Sequence, residues 1–453
     1  MATNRLSPLD DSFLAVESPS AHMHVGWAAV FDPPTEGRRP TFHDLQRHIA
    51  SRLPRAPRYR QKISEAPLGI DAPSWVDDES FEIGHHVVRA RSDDLDELVD
   101  DCMSRQLDRR RPLWEICIAD RLADGSVAAV GKAHHCMVDG IAAVELASLL
   151  LDPDPDPPAA PAASWQPEPP PGLAARLLDS ASRKAQSPVE LGRSALGLLA
   201  TPPGPGELWE KGARASAVVG RTLRPTTPVR PLNQEITPRR RLAHSARPLE
   251  DLQRVKQRFG TTLNDVYLAA AAGAVRRLLI DKGEEPMPLK TMVPVSVRDD
   301  APAAELGNRI SFMFVELPCH EGDPVRRLHR VRQLTEEGKH GGDPGSADGA
   351  LRLMGYAPRV VQRLVSRLAA SPRMFNLVVS NIPGPRDQMF MRGCRLREAY
   401  PVVPLADGHA LSIGMTTIHD RACFGLYAGG DCIRDADRVA AALDDSTDEL
   451  LAN

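Results

Sequence analysis

Apolar and polar positions along the chain follow two periodicities, and both occur in each half. Apolar runs of strand length predict strands, whereas apolar residues three and four positions apart predict helices. In the first half the predicted strands are 113–119 and 127–134, and the predicted helices are 42–53, 92–107 and 141–151. In the second half the predicted helices are 249–259 and 263–280, and the predicted strands are 290–297, 310–317, 377–379, 410–418 and 422–428. Because the two element types alternate without βαβ regularity, we expect an α/β (mixed α+β) fold of mixed sheets with flanking helices.

Proline interrupts this pattern in the middle of the chain. Of 41 prolines, 16 lie between Pro153 and Pro231, and such runs favour extended, semi-rigid linker over helix or central strand. We therefore predict an N-terminal domain at 1–151, a Pro-rich linker with short helices at 152–232, and a C-terminal domain at 233–453. A length of 453 residues also favours two domains or more.

Composition and charge narrow the class of protein. The formal net charge of -4 gives no reason to expect a nucleic-acid partner. The seven cysteines form no Cys-x-x-Cys pair, which favours a reduced cytosolic chain over a disulfide framework or zinc ribbon. Acidic residues near the first residue argue against a signal peptide, and no long apolar stretch predicts a membrane span. We expect a cytoplasmic protein that is soluble or attached to a membrane surface.

The segment 134–140, with the sequence His-His-Cys-Met-Val-Asp-Gly, is the strongest chemical signal. It lies between a predicted strand and a predicted helix, where functional side chains are commonly exposed. An imidazole can accept a proton from an alcohol and pass it on near neutral pH. We assign this general-base role to His135. His134 and Asp139 are expected to shape the turn, and Gly140 permits close backbone approach.

Other interpretations of this segment remain open. Adjacent histidines could bind a metal, but neighbouring side chains of a strand point to opposite faces and no further Cys/His cluster completes a site. We therefore expect no metal. Asp139 could simply cap the following helix, and Cys136 could act as a nucleophile. The His-His pair could also be a structural coincidence, as we expect for His85 and His86, which no Asp-Gly follows.

The spacing His-His-x-x-x-Asp-Gly resembles the signature of the coenzyme A-dependent acyltransferase superfamily, which includes chloramphenicol acetyltransferase and peptide-synthetase condensation domains. Further segments resemble the bacterial wax ester synthase/diacylglycerol acyltransferase family within it. These segments are Ser7-Pro8-Leu9-Asp10 through Met23-His24-Val25-Gly26, Pro112-Leu113-Trp114, Asn264-Asp265-Val266, Gly307-Asn308 and Ser380-Asn381-Ile382-Pro383-Gly384-Pro385.

The resemblance implies two chloramphenicol-acetyltransferase-like domains with the active-site channel between them. It further implies a long-chain O-acyltransferase that uses acyl-CoA as a substrate, needs no cofactor, and acylates diacylglycerol, a long-chain fatty alcohol, or both. Such acceptors imply a peripheral membrane or lipid-droplet location. Substrate-channel candidates are Pro112, Leu113, Trp114, Asn264, Asp265, Ser380 and Asn381.

The superfamily also implies a structural role for Asp139. Its motif aspartate resembles a residue that pairs with a distant arginine, and Arg298 ends a predicted strand where such a partner is expected. A buried carboxylate beside the turn would need such a partner. If Asp139 only capped a helix, Arg298 would be free.

Simpler structural roles and other functions remain open alongside these. Pro112-Leu113-Trp114 could be only a strand entrance with a core tryptophan, Asn264-Asp265 an N-cap pair, and 380–385 a turn. The whole protein could be a natural-product acyltransferase or condensation enzyme, a non-catalytic lipid-droplet-binding protein, or a zinc hydrolase. In the linker, the side chains that we consider best suited to touch lipid are Leu173, Leu177, Leu178 and Trp209.

Overall fold

In the described part of the chain, helices pack on two six-stranded mixed sheets. The computed structural model describes residues 5–65, 72–137, 150–157, 165–169, 172, 224–296, 310–341 and 359–453. Within these ranges the architecture is that of a two-domain mixed α/β protein, which confirms the predicted fold class.

The helices are α1 (Pro8–Val16), α2 (Phe42–Arg52), α3 (Leu95–Ser104), α4 (Leu249–Phe259), α5 (Leu263–Asp281), α6 (Pro324–Gly341), α7 (Arg359–Ala369) and α8 (Ala436–Ala452), with 3-10 turns at Leu53–Arg55, Pro57–Arg60 and Ile83–His85. The strands are β1 (His24–Asp32), β2 (Gln61–Ser64), β3 (Ser74–Asp77), β4 (Val87–Arg89), β5 (Trp114–Ala119), β6 (Val127–His134), β7 (Arg240–Pro248), β8 (Leu289–Ser296), β9 (Ile310–Leu317), β10 (Leu377–Ile382), β11 (Phe390–Met391), β12 (Cys394–Val402), β13 (Leu411–Ile418) and β14 (Arg421–Gly429).

Both large sheets are mixed. The first has the order β11-β12-β1-β6-β5-β4, and its β4 runs parallel to β5 while its other pairs are antiparallel. The second has the order β7-β14-β13-β10-β8-β9, with β10 parallel to both of its neighbours. A separate hairpin joins β2 and β3. The His-His segment begins at the end of β6, which is an interior strand of the first sheet.

The C-terminal part of the chain contributes two strands, β11 and β12, to the first sheet. Strand β12 also packs against the second sheet, at Gly414 and Gly425. A Cβ atom on Gly425 would lie 2.1 Å from the carbonyl oxygen of Pro401, and one on Gly414 would lie 2.9 Å from the Pro401 ring. These two glycines therefore allow a closeness of the sheets that no larger residue would permit. The predicted domain boundaries at 151 and 232 stay a prediction, because the first sheet contains strands from both the N-terminal and the C-terminal part of the chain.

Several predicted elements agree closely with the structure. Strands 127–134 and 310–317 and helix 249–259 have the predicted bounds. The predicted helix 92–107 is shorter, because the Asp94 carboxylate accepts the Glu97 amide and begins the helix at Leu95. Strand β10 continues through Ser380 and Ile382, where turn composition was noted. The predicted helix 141–151 lies almost wholly outside the described residues, as do the linker side chains Leu173, Leu177, Leu178 and Trp209.

Candidate active site

The two histidines of the motif lie at the end of β6, between two neighbouring strands. His24 of β1 is directly opposite His134 in the antiparallel register. On the other side, the His134 amide donates to the Leu113 carbonyl at 2.9 Å, just before β5. The end of β6 is therefore held on both sides.

The His135 main chain and ring are held by the segment that leads from α1 into β1. The His135 amide donates to the Met23 carbonyl at 2.9 Å. Met23 adopts a left-handed conformation with φ of 50°, which is uncommon for a non-glycine residue and costs of order 1–3 kcal/mol. The His135 imidazole stacks on the Phe13 ring of α1, with centroids 3.8 Å apart and planes inclined by 22°. The N-terminal segment thus fixes the orientation of His135.

One ring nitrogen of His135 is shielded from solvent. Nδ1 is enclosed and makes no hydrogen bond to any residue that the structure describes. Burial lowers the pKa of the imidazole from 6.5 to about 4, and contact with its own main-chain carbonyl opposes this shift only in part. At neutral pH the ring is uncharged. A neutral imidazole carries its proton on one ring nitrogen and keeps a lone pair on the other, so this ring can accept a further proton.

His134 belongs to the core. Its side chain is 1% exposed, and its Nδ1 accepts the Cys136 amide at 3.1 Å. Burial lowers its pKa to about 3, with nearby Arg109 adding to the effect. The neutral ring must then carry its proton on Nε2, which lies 3.6 Å from Glu17 Oε2. These contacts hold His134 in the core, and its role in shaping the turn stays a prediction.

Cys136 is buried, and burial raises the pKa of its thiol well above the usual value of 9. A protonated thiol is a poor nucleophile. The structure thus offers a neutral base at His135 and no activated nucleophile at Cys136.

Potential metal ligands lie elsewhere in the first sheet. Within the described ranges, Cys102, Glu115 and Cys117 are the one group of three such side chains close together. The Glu115 carboxylate already faces Arg105 at 3.2 Å and Lys132 at 3.4 Å. Two cations beside this carboxylate disfavour a third, and neither motif histidine belongs to the group.

The segment 112–114 lies in the core beside the motif. Pro112, Leu113 and Trp114 are buried, and the Trp114 indole donates to the Tyr59 carbonyl at 2.8 Å and stacks on His86. This matches the simpler role of a strand entrance with a core tryptophan, and the Leu113 carbonyl links the segment to His134.

The other channel candidates lie along the second sheet. Thr262 caps α5, and the buried Asp265 completes a capping box, so Asn264 and Asp265 are not the N-cap pair considered above. Asp265 also accepts from Thr335 at 2.8 Å. Ser380 is buried in β10, and its carbonyl accepts from Tyr267 at 3.2 Å, whereas Asn381 is exposed.

Three predicted site residues, Asp139, Gly140 and Arg298, lie outside the described residues. Their proposed roles stay predictions.

Sequence reasoning did not assign roles to Phe13, Glu17 and Met23, which surround the two histidines. Glu17 accepts from Gln106 at 2.7 Å and from Arg109, and its side chain is 3% exposed. The available signal was the N-terminal block that contains Met23, which supported the family resemblance without indicating any contact with the motif.

Within the described residues, no helix combines the length and the apolar character needed to cross a bilayer.

Comparison with known families gives two matches in chain order. Residues 6–267 match the wax ester synthase/diacylglycerol acyltransferase catalytic domain, and residues 306–451 match the WS/DGAT C-terminal domain. Among curated proteins, a putative diacylglycerol O-acyltransferase of Mycobacterium bovis is 32% identical over 465 residues, covering 99% of this chain and 96% of the relative. A probable diacylglycerol O-acyltransferase of Mycobacterium tuberculosis, tgs2, is 32% identical over 461 residues, covering 98% of both chains.

Solved structures share the architecture. The wax ester synthase/diacylglycerol acyltransferase of Marinobacter aquaeolei VT8 is similar with a TM-score of 0.69 and 26% identity, covering 99% of this chain and 98% of that one. The first condensation domain of the calcium-dependent antibiotic synthetase has a TM-score of 0.58 and 16% identity, covering 100% and 96%. At that identity the likeness concerns the fold alone.

Proposed function

This chain belongs to the wax ester synthase/diacylglycerol acyltransferase family, and we propose that it moves a long-chain acyl group from acyl-CoA to diacylglycerol, a long-chain fatty alcohol, or both. It is an acyl-CoA-dependent O-acyltransferase. Relatives that share 32% of its residues over nearly their whole length are named as diacylglycerol O-acyltransferases, which supports triacylglycerol synthesis.

The observation that carries the mechanism is the neutral, oriented imidazole of His135. Nε2 takes the hydroxyl proton while the alcohol oxygen attacks the thioester carbonyl. The tetrahedral intermediate then collapses as the carbon–sulfur bond breaks, and protonated His135 returns the proton to the leaving CoA thiolate. The products are an ester and free CoA, and no covalent acyl-enzyme is needed when both substrates are bound together.

Two contacts support this role, because they restrict His135 before substrate arrives. The imidazole stacks on Phe13, and the His135 amide donates a hydrogen bond to the Met23 carbonyl. A positioned general base contributes roughly 10²- to 10⁴-fold to the rate. The lowered pKa of the ring keeps it in the uncharged form at neutral pH, which is the form that can accept the hydroxyl proton.

The test is an assay of radiolabelled palmitoyl-CoA with diacylglycerol, hexadecanol and a short polar alcohol. We expect His135→Ala to lose at least about 100-fold in kcat while its thermal midpoint stays near wild type. His85→Ala, in the exposed half of the other His-His pair, is the matched control and should keep full activity. If His135→Ala retains more than about a tenth of wild-type turnover, another base acts. Unchanged lipid accumulation in cells carrying His135→Ala would favour a non-catalytic droplet-binding role.

We propose further that Asp139 and Arg298 form a structural ion pair. Removing one partner of a buried pair costs about 3–5 kcal/mol, so Asp139→Ala and Arg298→Ala should each lower the free energy of unfolding strongly. The double variant should cost less than their sum. Strict additivity in urea unfolding would refute the pair.

Because the acceptors proposed here are water-insoluble, we propose that the enzyme works at the cytoplasmic surface of a membrane or a lipid droplet. Peripheral attachment would let diacylglycerol reach the site without crossing water.

A further inference from the structure

Helix α7 has its polar side turned toward the protein and its apolar side toward solvent. Among the described residues, six large hydrophobic side chains are exposed, and five of them lie on this one helix. These five form the α7 apolar face: Val360 (79% exposed), Val361 (44%), Leu364 (58%), Val365 (40%) and Leu368 (58%). Contiguous exposed apolar surface of this kind marks an interaction site.

The polar side of α7 is bound to α1. Arg359 makes two hydrogen bonds, at 2.8 Å and 3.1 Å, to the carboxylate of the buried Asp11. Arg367 donates to the Ala15 carbonyl at 3.1 Å. The helix is therefore fixed to the protein by its arginines, and its apolar face is left without a protein partner in the described part of the chain.

The charge of α7 suits an anionic surface. The sequence 359–369 contains three arginines and no acidic residue. Arg359 is neutralised by Asp11, so the exposed Arg363 and Arg367 supply the positive charge. Apolar side chains flanked by basic ones are typical of helices that lie in the plane of a lipid interface. An eleven-residue helix is about 16 Å long, so one face is too small for the roughly 800 Å² per partner that stable protein interfaces bury.

Helix α7 is also connected to the catalytic residue. The α1 helix that it holds through Asp11 and Ala15 carries Phe13, which stacks on His135. Two sets of contacts therefore link α7 to the base: α7 is bonded to α1, and Phe13 of α1 stacks on His135.

We propose that the α7 apolar face inserts into the hydrocarbon boundary of an anionic lipid surface and docks the enzyme there. This inference rests on the proposed function, because an acyltransferase of water-insoluble acceptors must meet them at such a surface. It assigns the docking to α7, whereas the linker side chains considered from sequence lie outside the described residues.

The test is flotation of the full-length protein with phosphatidylcholine vesicles, with or without phosphatidylglycerol. Burying a leucine contributes about tenfold to partitioning, so Leu364→Ser with Leu368→Ser should weaken vesicle binding roughly 100-fold. Ile280→Ser removes the sixth exposed side chain, on α5, and should bind as wild type does. Arg363→Glu should weaken binding only where phosphatidylglycerol is present.

Flotation separates docking from catalysis, because His135→Ala should bind vesicles like wild type even though it is inactive. The proposal is overturned if wild type does not float, or if the double leucine variant floats like wild type. It is also overturned if that variant converts a dimer into a monomer in size-exclusion chromatography while vesicle binding is unchanged, since α7 would then be a contact between two copies. An unchanged thermal midpoint of the double variant shows that it is folded.

Discussion

Replacing Glu17 tests whether the N-terminal segment positions the catalytic turn. Its carboxylate lies between Arg109, Gln106 and the Nε2 of His134, and it is 3% exposed. Glu17→Gln keeps the shape of the side chain but removes the charge that Arg109 faces. It also turns part of the group into a donor, which cannot accept from both neighbours.

The expected loss of stability is moderate. A hydrogen bond to a charged group contributes about 1.5–3 kcal/mol, but Arg109 is 47% exposed and can be hydrated when it loses its partner. We therefore expect Glu17→Gln to cost about 1–2 kcal/mol in urea unfolding. Glu17 also ends α1, whose Phe13 stacks on His135, so a shift of this end misplaces the base. Small misplacements cost up to about 10²-fold in rate, and we expect kcat to fall by roughly tenfold or more.

The assay is steady-state CoA release at saturating acyl-CoA, together with urea unfolding of the same preparation. Asp108→Asn is the matched control, because this acid pairs with the exposed Arg110 in the same region and faces neither histidine. It should leave both kcat and stability within error of wild type. Wild-type kcat in Glu17→Gln would refute the positioning role, and a loss of stability alone would reduce Glu17 to a structural residue.

Other predictions follow from close packing and from burial of histidines. Gly425→Val should lower the unfolding free energy by about 3 kcal/mol, because its Cβ atom would meet a main-chain oxygen. Gly84→Val should be neutral, because there is open space around Gly84. Equal urea midpoints of the two variants would contradict this difference. Burial lowers the pKa of His48 and of His409 to about 4, while the unfolded chain binds those protons near 6.5. Unfolding free energy should therefore fall as pH drops from 7 to 5, by about 2 kcal/mol for each histidine, and identical urea midpoints at the two pH values would refute it. The same argument for His135 predicts that kcat/KM of the folded free enzyme stays level from pH 8 to about pH 5, and an inflection near 6.5 would refute it.

Periodicity predicted those elements whose burial is simplest. Strand 127–134 is buried along its whole length and begins with the apolar run 127–130. Helix 249–259 ends at Gly260, which has a left-handed conformation. Periodicity also indicated mixed sheets, because strands and helices alternate irregularly. These features depend on short stretches of sequence, which is why one chain was enough to identify them.

Long-range pairing was beyond such reasoning. Strand β12 joins β1 across more than half of the chain, and no local pattern specifies this partner. Strand β7 is rich in charged and polar residues, with only partial burial, so its apolar alternation is weak. Strand β12 of the first sheet packs closely on the second sheet, because Gly414 and Gly425 leave room for Pro401. The need for these two glycines becomes visible only when the two sheets are packed together.

The site shows the same division between local and distant information. Spacing within 134–140 singled out two adjacent histidines, and the expectation that neighbouring side chains diverge agrees with their surroundings. His134 is held in the core by the Cys136 amide and faces Glu17, whereas His135 is half-buried and stacks on Phe13. The contacts that distinguish the two rings come from α1 and the segment after it, more than a hundred residues earlier in the chain. A motif can therefore specify which side chains leave the strand end, but the chemical character of each one is set by the distant segment that packs against it.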